Sequence, residues 1–349
     1  MPTLFDTIAR FSGRRPVTPV EVKRSATGPL VALQWQGQPV WSPRDYAGFA
    51  REGFMQNPVV HRSVRMIAEA AASVPMLLFD GELELVDHPL QSLLARPNPV
   101  QSGNDFLEAC YGYLLVAGNA YVEAVALGED VRELYSLRPD RMTVIAGADG
   151  WPEGHEYSVG GRKVRFGDRL DSGVRPILHL QCFHPLIDHY GLSPIEAAAQ
   201  AVDIYNAACG WNKSLLDNAA RPSGALVYSN GGGLDPAQFE RLKSELEEAY
   251  QGGRNAGRPL LLEGGLDWKA MGLSPTDMDF IEAKNSAARD IALAFGVPPM
   301  LLGIPGDNTY SNYLEANRSF WRQTVLPLVA RTFNALAGWL APAFGDGLQ

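Results

Sequence analysis

Two helix starts of the same kind bracket a short strand-rich segment, and they constrain the fold more than any other feature of the chain. Ser193-Pro194-Ile195-Glu196 combines an N-cap serine, a proline at the first helical position and the glutamate of a capping box. Ser274-Pro275-Thr276-Asp277 also begins with an N-cap serine and a proline. The first start predicts a helix to about Ala219, roughly 40 Å long. Such a helix is longer than a small domain needs to cover its own core.

Apolar side chains repeat at helical spacing in both predicted helices, so each helix has one face that packs against another element. These faces comprise Ile195, Ala198, Ala199, Val202, Tyr205 and Cys209 in the first helix, and Met278, Ile281, Ala288, Ile291 and Phe295 in the second. Between the helices, GALVYS, PLLLEGG and DWKAMG predict three strands, and Asp235-Pro236-Ala237-Gln238 predicts a helix to about Tyr250. The two helices therefore bracket a compact β-α-β-β module.

The preceding segment, residues 42–183, has the pattern of a mixed α+β domain. Helix starts occur at Ser42-Pro43-Arg44-Asp45 and at Asn57-Pro58, the second predicting a helix to about Ser73 with an apolar stripe. The stripe comprises Val60, Val64, Ile67 and Ala71. A hairpin through Asp80-Gly81 and a helix over residues 104–117 follow. Short strands then alternate with turns in GNAYVEAV, VRELYSL, RMTVIA, HEYSV, RKVRF and PILHLQCF.

A polar segment rich in Asn, Ser and Tyr separates the second bracketing helix from the last helical stretch. Gly296, Pro298 and Pro299 are expected to stop the helix, because glycine accepts a left-handed cap and proline supplies no backbone donor. The segment to Asn312 is predicted to be a loop that stands free of both helices. A helix from about Tyr313 to Leu340 follows, and Pro327 is expected to bend it.

Charge and composition exclude several classes of protein. The formal net charge of −9 argues against a general nucleic-acid binder. No apolar run approaches the ~20 residues of a membrane-spanning helix, and the first arginines follow the N-terminal apolar stretch, which predicts an intracellular protein without a secretory signal. Three separated cysteines predict buried thiols rather than disulfides. The first 41 residues are predicted to be a flexible basic arm, carrying Arg10, Arg14, Arg15, Lys23 and Arg24 against Asp6 and Glu21.

One cluster of possible metal ligands leaves an enzymatic alternative open. His179, Cys182, His184 and His189 lie within eleven residues, and all four side-chain types bind zinc. Strand alternation places His179 and Cys182 on opposite faces, and the spacing matches no common zinc pattern. A zinc-dependent hydrolase built on these four residues, and a DNA-binding protein that uses the basic arm, are the two alternative hypotheses. No nucleophile elbow, phosphate loop or dinucleotide fingerprint accompanies them.

Five stretches in their order along the chain resemble the portal proteins of long-tailed bacteriophages. They are NPVVHRSVRMIAEAAASVP, LLVAGNAYVEAV with ELYSLRPDRM after it, HYGLSPIEAA, AFGVPPMLLG and YSNYLEANRSFW. The details are most similar to the compact portals of gene transfer agents and related prophages. The resemblance implies a non-enzymatic ring, normally of twelve subunits, at one capsid vertex, through which DNA is packaged and later released. The protein is then expected in the virion, after assembly in the bacterial cytoplasm.

The resemblance also assigns the parts of the chain. Residues 42–192 and 313–349 are similar to the wing of these proteins, residues 193–221 and 274–297 to the stem, residues 222–273 to the clip and residues 298–312 to the tunnel loop. The crown that usually follows is expected to be short, missing or cut off. The implied partners are other copies of the chain, the major capsid protein, a head-tail adaptor, the large terminase and double-stranded DNA that passes through the channel without sequence specificity, with no cofactor and no membrane.

Two groups of residues are the candidate functional sites. The tunnel-loop residues expected to face DNA are Gly306, Asp307, Asn308, Thr309, Tyr310, Ser311 and Asn312. Apart from Asp307 they carry no charge, so they predict passage of DNA without tight binding to its phosphates. The clip residues expected to bind partners are Asp235, Glu240, Lys243, Glu247, Arg254, Arg258 and Trp268.

Overall fold

A computed structural model describes residues 41–167, 169–217, 224–228, 235, 237–238, 240–241, 244, 266–270, 280–306 and 310–345. The basic arm therefore lies outside the described residues. Among those residues, no helix combines the length and the apolar character that crossing a membrane requires.

The first two helices begin at the caps that the sequence predicts. Helix α1 (Tyr46–Gly48) starts after Asp45, whose side chain accepts a hydrogen bond from the Gly48 amide, and continues as a π-helical segment (Phe49–Met55). Helix α2 (Pro58–Ala72) starts after Asn57, whose side-chain oxygen accepts from the amides of Val59 and Val60. The predicted stripe of α2 is fully buried, which confirms the helical spacing as a core signal.

A small hairpin and two helices follow α2. Strands β1 (Phe79–Asp80) and β2 (Leu83–Glu84) pair antiparallel around Gly81, as predicted, but each has only two residues. Helix α3 (Pro89–Ala95) was not predicted from the sequence, because its cap is His88 rather than Ser, Thr, Asp or Asn. Helix α4 (Gly103–Ala117) has a complete capping box between Ser102 and Asp105.

Two three-stranded antiparallel sheets make up the β part of this segment. The first has the strand order β4-β3-β8, with β3 spanning Asn119–Leu127, β4 Asp130–Leu137 and β8 Ile177–Gln181. The second has the order β5-β6-β7, with β5 spanning Met142–Ala146, β6 Pro152–Val159 and β7 Arg162–Phe166. A single 3₁₀ turn (Pro139–Arg141) joins β4 to β5. All six strands were predicted from alternation and turn residues.

The core is built where α2 and α4 pack against each other and against the first sheet. Val60 and Ile67 of α2, Phe106 and Tyr111 of α4, and Leu134 of β4 are among the fully buried side chains. The C-terminal helix completes this core through Leu336, Trp339 and Leu340. Residues far apart in the chain therefore form one apolar interior.

The bracketing helices are present, with one division and one misplaced side chain. The first consists of α5 (Pro194–Ala197), capped by Ser193, and α6 (Ala199–Asp217), with Ala198 leaving helical geometry between them. The second is α7 (Phe280–Ala294), and the predicted start at Ser274 lies outside the described residues. Ile281 is 76 % exposed, so its predicted place on the buried face is wrong, whereas Ala288, Ile291 and Phe295 are buried. Helical spacing predicts which side chains share a face of the helix, but a side chain on that face is buried only where another element packs against it.

The C-terminal helical stretch begins earlier and ends later than predicted. Helix α8 (Tyr310–Phe320) leads into a π-helical segment (Trp321–Val325) and then helix α9 (Leu326–Phe344). The Leu326 amide donates to the carbonyl of Trp321, a five-residue spacing. Pro327 follows immediately. Proline has no backbone N–H to donate, and the irregular turn tolerates this missing hydrogen bond.

Candidate channel loop, stem and clip

Helices α6 and α7 pack against each other through small side chains. Ala201, Ala208, Ala287 and Ala288 are buried together with larger residues such as Val202 and Ile291. The alanine-rich faces allow the two backbones to approach closely. The ammonium of Lys284 lies 5.1 Å from the ring centroid of Tyr205 and links the two helices by a cation–π contact.

The end of α7 is fixed by a left-handed glycine cap. Gly296 has φ of 65°, its amide donates to the carbonyl of Leu293, and the Val297 amide donates to that of Ala292, which is the Schellman arrangement. The carbonyl of Gly296 accepts from the hydroxyl of Thr324 at 2.6 Å. The predicted stop is confirmed, and the cap is tied to the π-helical segment that precedes α9.

The segment after this cap is held against α7 rather than standing free. A 3₁₀ turn (Pro299–Leu302) ends at Gly303, and Ile304 is buried. The guanidinium of Arg289, on α7, donates to the carbonyl of Pro305 and contacts Gly306. The prediction of a free loop is therefore wrong for residues 299–306. Arg289 escaped the sequence analysis because its partner lies sixteen residues away and no local pattern connects them.

The structure separates the predicted tunnel-loop residues into three groups. Gly306 lies at the anchored start. Asp307, Asn308 and Thr309 lie outside the described residues. Tyr310, Ser311 and Asn312 form the first turn of α8, so their prediction as loop residues is wrong. Serine and asparagine favour both helix starts and loops, so composition alone does not distinguish the first turn of α8 from a loop.

The structure describes only part of the predicted clip. Strands β9 (Gly224–Tyr228) and β10 (Leu266–Ala270) pair antiparallel, with Trp268 opposite Leu226, which confirms two of the three predicted strands. Asp235 is exposed and its amide donates to the side chain of Gln238, and Glu240 is exposed and helical. The third strand, PLLLEGG, and Lys243, Glu247, Arg254 and Arg258 lie outside the described residues.

The four candidate zinc ligands do not converge. His179 stacks on Tyr121 and its Nε2 lies 2.9 Å from the Oδ1 of Asn119, whereas His184 is exposed and its Nδ1 accepts from the amides of Leu186 and Ile187. Among the residues described, no group of three or more His, Cys, Asp or Glu side chains is placed to hold a metal ion.

Burial controls the ionisation of the residues that are enclosed. Burial, together with the neighbouring His155 and His189, lowers the pKa of His179 to about 3. Burial likewise raises the pKa of the Cys110 thiol to about 12. All three cysteines are free thiols. His179 and Cys110 are therefore neutral parts of the interior at physiological pH.

The chain matches the phage portal protein family over residues 58–349. A protein of Rickettsia bellii is 42 % identical over 301 residues, covering 84 % of this chain and 77 % of the relative. The portal protein of Enterobacteria phage HK97 is 28 % identical over 352 residues, covering 95 % of this chain and 76 % of that protein.

Solved structures agree with the family match. A chain from the neck of a native gene transfer agent particle, computed with C12 symmetry, is 55 % identical and has a TM-score of 0.66, with 93 % of this chain and 88 % of that chain covered. Nothing in these comparisons supports the hydrolase or the arm-based DNA-binding hypothesis. The chain belongs to the phage portal protein family.

Proposed function

We propose that this structural, non-enzymatic chain assembles into a ring of twelve copies at one vertex of a capsid, and that the ring is the channel for DNA. The observation that carries the proposal is the family match over residues 58–349, joined to the likeness with a gene transfer agent neck of C12 symmetry. The ring-forming connector role fits the chain as a whole. The ring number and the passage of DNA are the parts that require a test.

The α6–α7 pair and the β9–β10 ribbon support the assignment of stem and clip. The ribbon lies in the chain between two packed helices, which supports a clip at the end of the stem. In this proposal the stem lines the channel, and the clip binds the large terminase during packaging and the head-tail adaptor afterwards. The wing contacts the major capsid protein. Of the clip residues predicted to bind partners, Asp235 and Glu240 are described and exposed.

The tunnel loop in this proposal comprises residues 303–309, shorter than the sequence alone predicts. Gly303 ends the 3₁₀ turn and α8 begins at Tyr310. Arg289 holds the start of the loop through Pro305, so its charge sits at the loop base rather than at the tip. Asn308 offers DNA an uncharged hydrogen-bonding side chain, which adds little to phosphate affinity.

The mass of the assembled protein tests the ring. Native mass spectrometry of the purified chain under assembly conditions is expected to give twelve times the subunit mass. A chain that remains monomeric under all these conditions, together with normal particles after deletion of its gene, would contradict the proposal.

Two lysine substitutions test the passage of DNA. Asn308→Lys adds a cation in the loop, and is expected to slow packaging in proportion to added phosphate contacts while leaving the ring mass unchanged. Asn334→Lys on the exposed side of α9 is the matched control. Equal packaging rates for wild type and Asn308→Lys would show that the loop does not face DNA.

A further inference from the structure

A short loop after β8 presents apolar side chains to solvent in a fixed conformation. Phe183 is 83 % exposed and Leu186 is 88 % exposed, and Ile187 is also exposed. We call residues 183–187 the knob. Single exposed apolar residues need no explanation, but three within five residues on one rigid turn indicate a surface that another molecule covers.

Hydrogen bonds fix the shape of the knob. The Nδ1 atom of His184 accepts from the amides of Leu186 and Ile187, both at 3.0 Å. The side-chain amide of Gln181 donates to the carbonyl of Asp188 at 3.2 Å and closes the base, and Arg331 of α9 donates to the carbonyl of Gln181. Little conformational entropy is then lost when the knob is buried.

An apolar groove of about 520 Å³ lies elsewhere on the same chain, between the segment after α2, helix α3, the start of α4 and helix α9. Among the described residues that line it, none has a charged side chain. Its walls include Pro75, Leu77, Leu94, Leu107, Phe333 and Ala337. A second depression of similar volume is lined by Arg65, Asp105 and Glu108, and an apolar side chain there would remove charges from water. The uncharged groove is therefore the better receptor for the knob.

The knob and the groove lie on opposite faces of α9. Arg331 and Ala335 contact the region of β8 that leads into the knob, whereas Phe333 and Ala337 line the groove. Residues two apart in a helix point about 200° away from each other. The knob of one copy therefore cannot reach its own groove, while a head-to-tail neighbour can supply it, as a cyclic ring requires.

The charges beside the two surfaces also favour a second copy as the occupant. The hairpin next to the groove and the segment after it carry four exposed carboxylates, Asp80, Glu82, Glu84 and Asp87, against one exposed arginine, Arg96. The base of the knob and the cavity beside it carry three arginines against two carboxylates. These are Arg169, Arg175 and Arg331 against Glu153 and Asp188.

We infer that the knob of each subunit, residues 183–187, inserts into the apolar groove of the next subunit and forms part of the heterologous ring interface. The inference rests on the ring proposed above. Leu186 and Phe183 are the anchors, and the acidic hairpin and the knob-side arginines set the orientation. The interface orders the subunits in one direction around the ring, because knob and groove are different surfaces.

A charge substitution tests the inference in the full chain. Leu186→Asp is expected to raise the subunit concentration needed for half-maximal ring assembly by roughly tenfold or more, since a buried Leu becomes a desolvated carboxylate. The control is Leu127→Asp, at a residue that is 75 % exposed in the β3–β4 turn and belongs to neither surface. Unchanged thermal unfolding of unassembled Leu186→Asp shows that the variant folds.

Cross-linking tests the pairing directly. Oxidation of a mixture of Leu186→Cys chains and Gln91→Cys chains is expected to give disulfide-linked dimers, because Gln91 lines the groove. Ala109→Cys, which lines the charged depression, replaces Gln91→Cys in the control mixture, and each single variant alone controls for the native thiols.

The outcomes separate this inference from the proposed function. A wild-type chain that forms no ring overturns both. Wild-type rings with equal assembly of Leu186→Asp and no specific Leu186–Gln91 cross-link overturn the interface alone. Rings of Leu186→Asp that form normally but no longer bind capsid protein or adaptor also overturn it, because the knob then serves that partner.

Discussion

The Nε2 atom of His179 donates a hydrogen bond to the side-chain oxygen of Asn119 at 2.9 Å. The same oxygen accepts from the amide of Gly191 at 2.8 Å, so Asn119 cannot be reversed and Nε2 must carry the proton. The side-chain nitrogen of Asn119 donates to the carbonyls of Ala117 and Gly191. One buried amide group thus joins α4, β3, β8 and the segment that leads to α5.

Asn119→Ala is expected to lower the free energy of unfolding by at least about 2 kcal/mol, because it leaves the donors of His179 and Gly191 buried without a partner. Urea denaturation of the unassembled chain measures the change. The control is Asn334→Ala, at an exposed position of α9, for which a change within about 0.5 kcal/mol is expected. Equal urea denaturation midpoints for the two variants would show that the hydrogen bonds of Asn119 do not stabilise the fold.

The half-buried His179 makes stability depend on pH in a defined direction. Its folded pKa of about 3 lies below the ordinary value of about 6.5, so the unfolded chain binds the proton first. Its contribution to stability is fully present above pH ~6.5 and is lost as the pH falls toward 3, by up to about 1.4 kcal/mol per pH unit. Denaturation midpoints between pH 7 and pH 4.5 measure this loss.

His179→Gln is expected to reduce that pH dependence, because the amide keeps a donor for Asn119 and does not titrate. The comparison variant is His61→Gln, at an exposed histidine of α2, which is expected to retain the wild-type slope. If His179→Gln retained the wild-type slope as well, another group would be responsible.

Helix α7 offers a matched pair of isoleucines. Ile291 is fully buried between α7 and the core, and Ile281 is 76 % exposed. Ile291→Ala is expected to destabilise the unassembled chain by about 2–5 kcal/mol. Ile281→Ala is expected to change stability by less than about 0.5 kcal/mol. Thermal or urea unfolding of both variants measures the difference, and similar losses would show that Ile281 is also buried in the subunit.

Arg289 fixes the start of the proposed tunnel loop. Arg289→Ala is expected to speed amide hydrogen exchange at Gly303, Ile304 and Gly306 several-fold, because the hydrogen bond to Pro305 is lost, while ring assembly is unchanged. Hydrogen–deuterium exchange with mass spectrometry measures this. Arg318→Ala, at an exposed arginine paired with Glu315 on α8, is the control. Unaltered exchange in Arg289→Ala would show that the loop base is held by other contacts.

Most regular elements could be predicted because their signals are local. The caps at Asp45, Asn57 and Ser193 act on amides two or three residues away, and strand alternation is equally short-range. The same locality explains the errors. Helix α3 has an unusual histidine cap, and the polar residues 310–312 belong to a helix start that resembles a loop in composition.

The candidate sites depended on relationships between distant residues. The resemblance indicated a channel loop near residue 300. Arg289 holds the start of this loop and Thr324 holds the cap before it, but no sequence pattern links them to Pro305 and Gly296. For the histidine cluster the reverse holds. His179 and His184 are close in sequence, but they have different surroundings in the structure.

The sequence by itself determined the α+β class, the two bracketing helices, the caps at Ser193 and Gly296 and the membership of the portal family. These features depend on backbone chemistry and spacing within a few residues. Only the tertiary structure decided which face of α7 is buried, where the loop is anchored and that knob and groove lie on opposite faces of α9. Burial and long-range hydrogen bonds require a partner, and the partner's position is set by the packing of the whole chain.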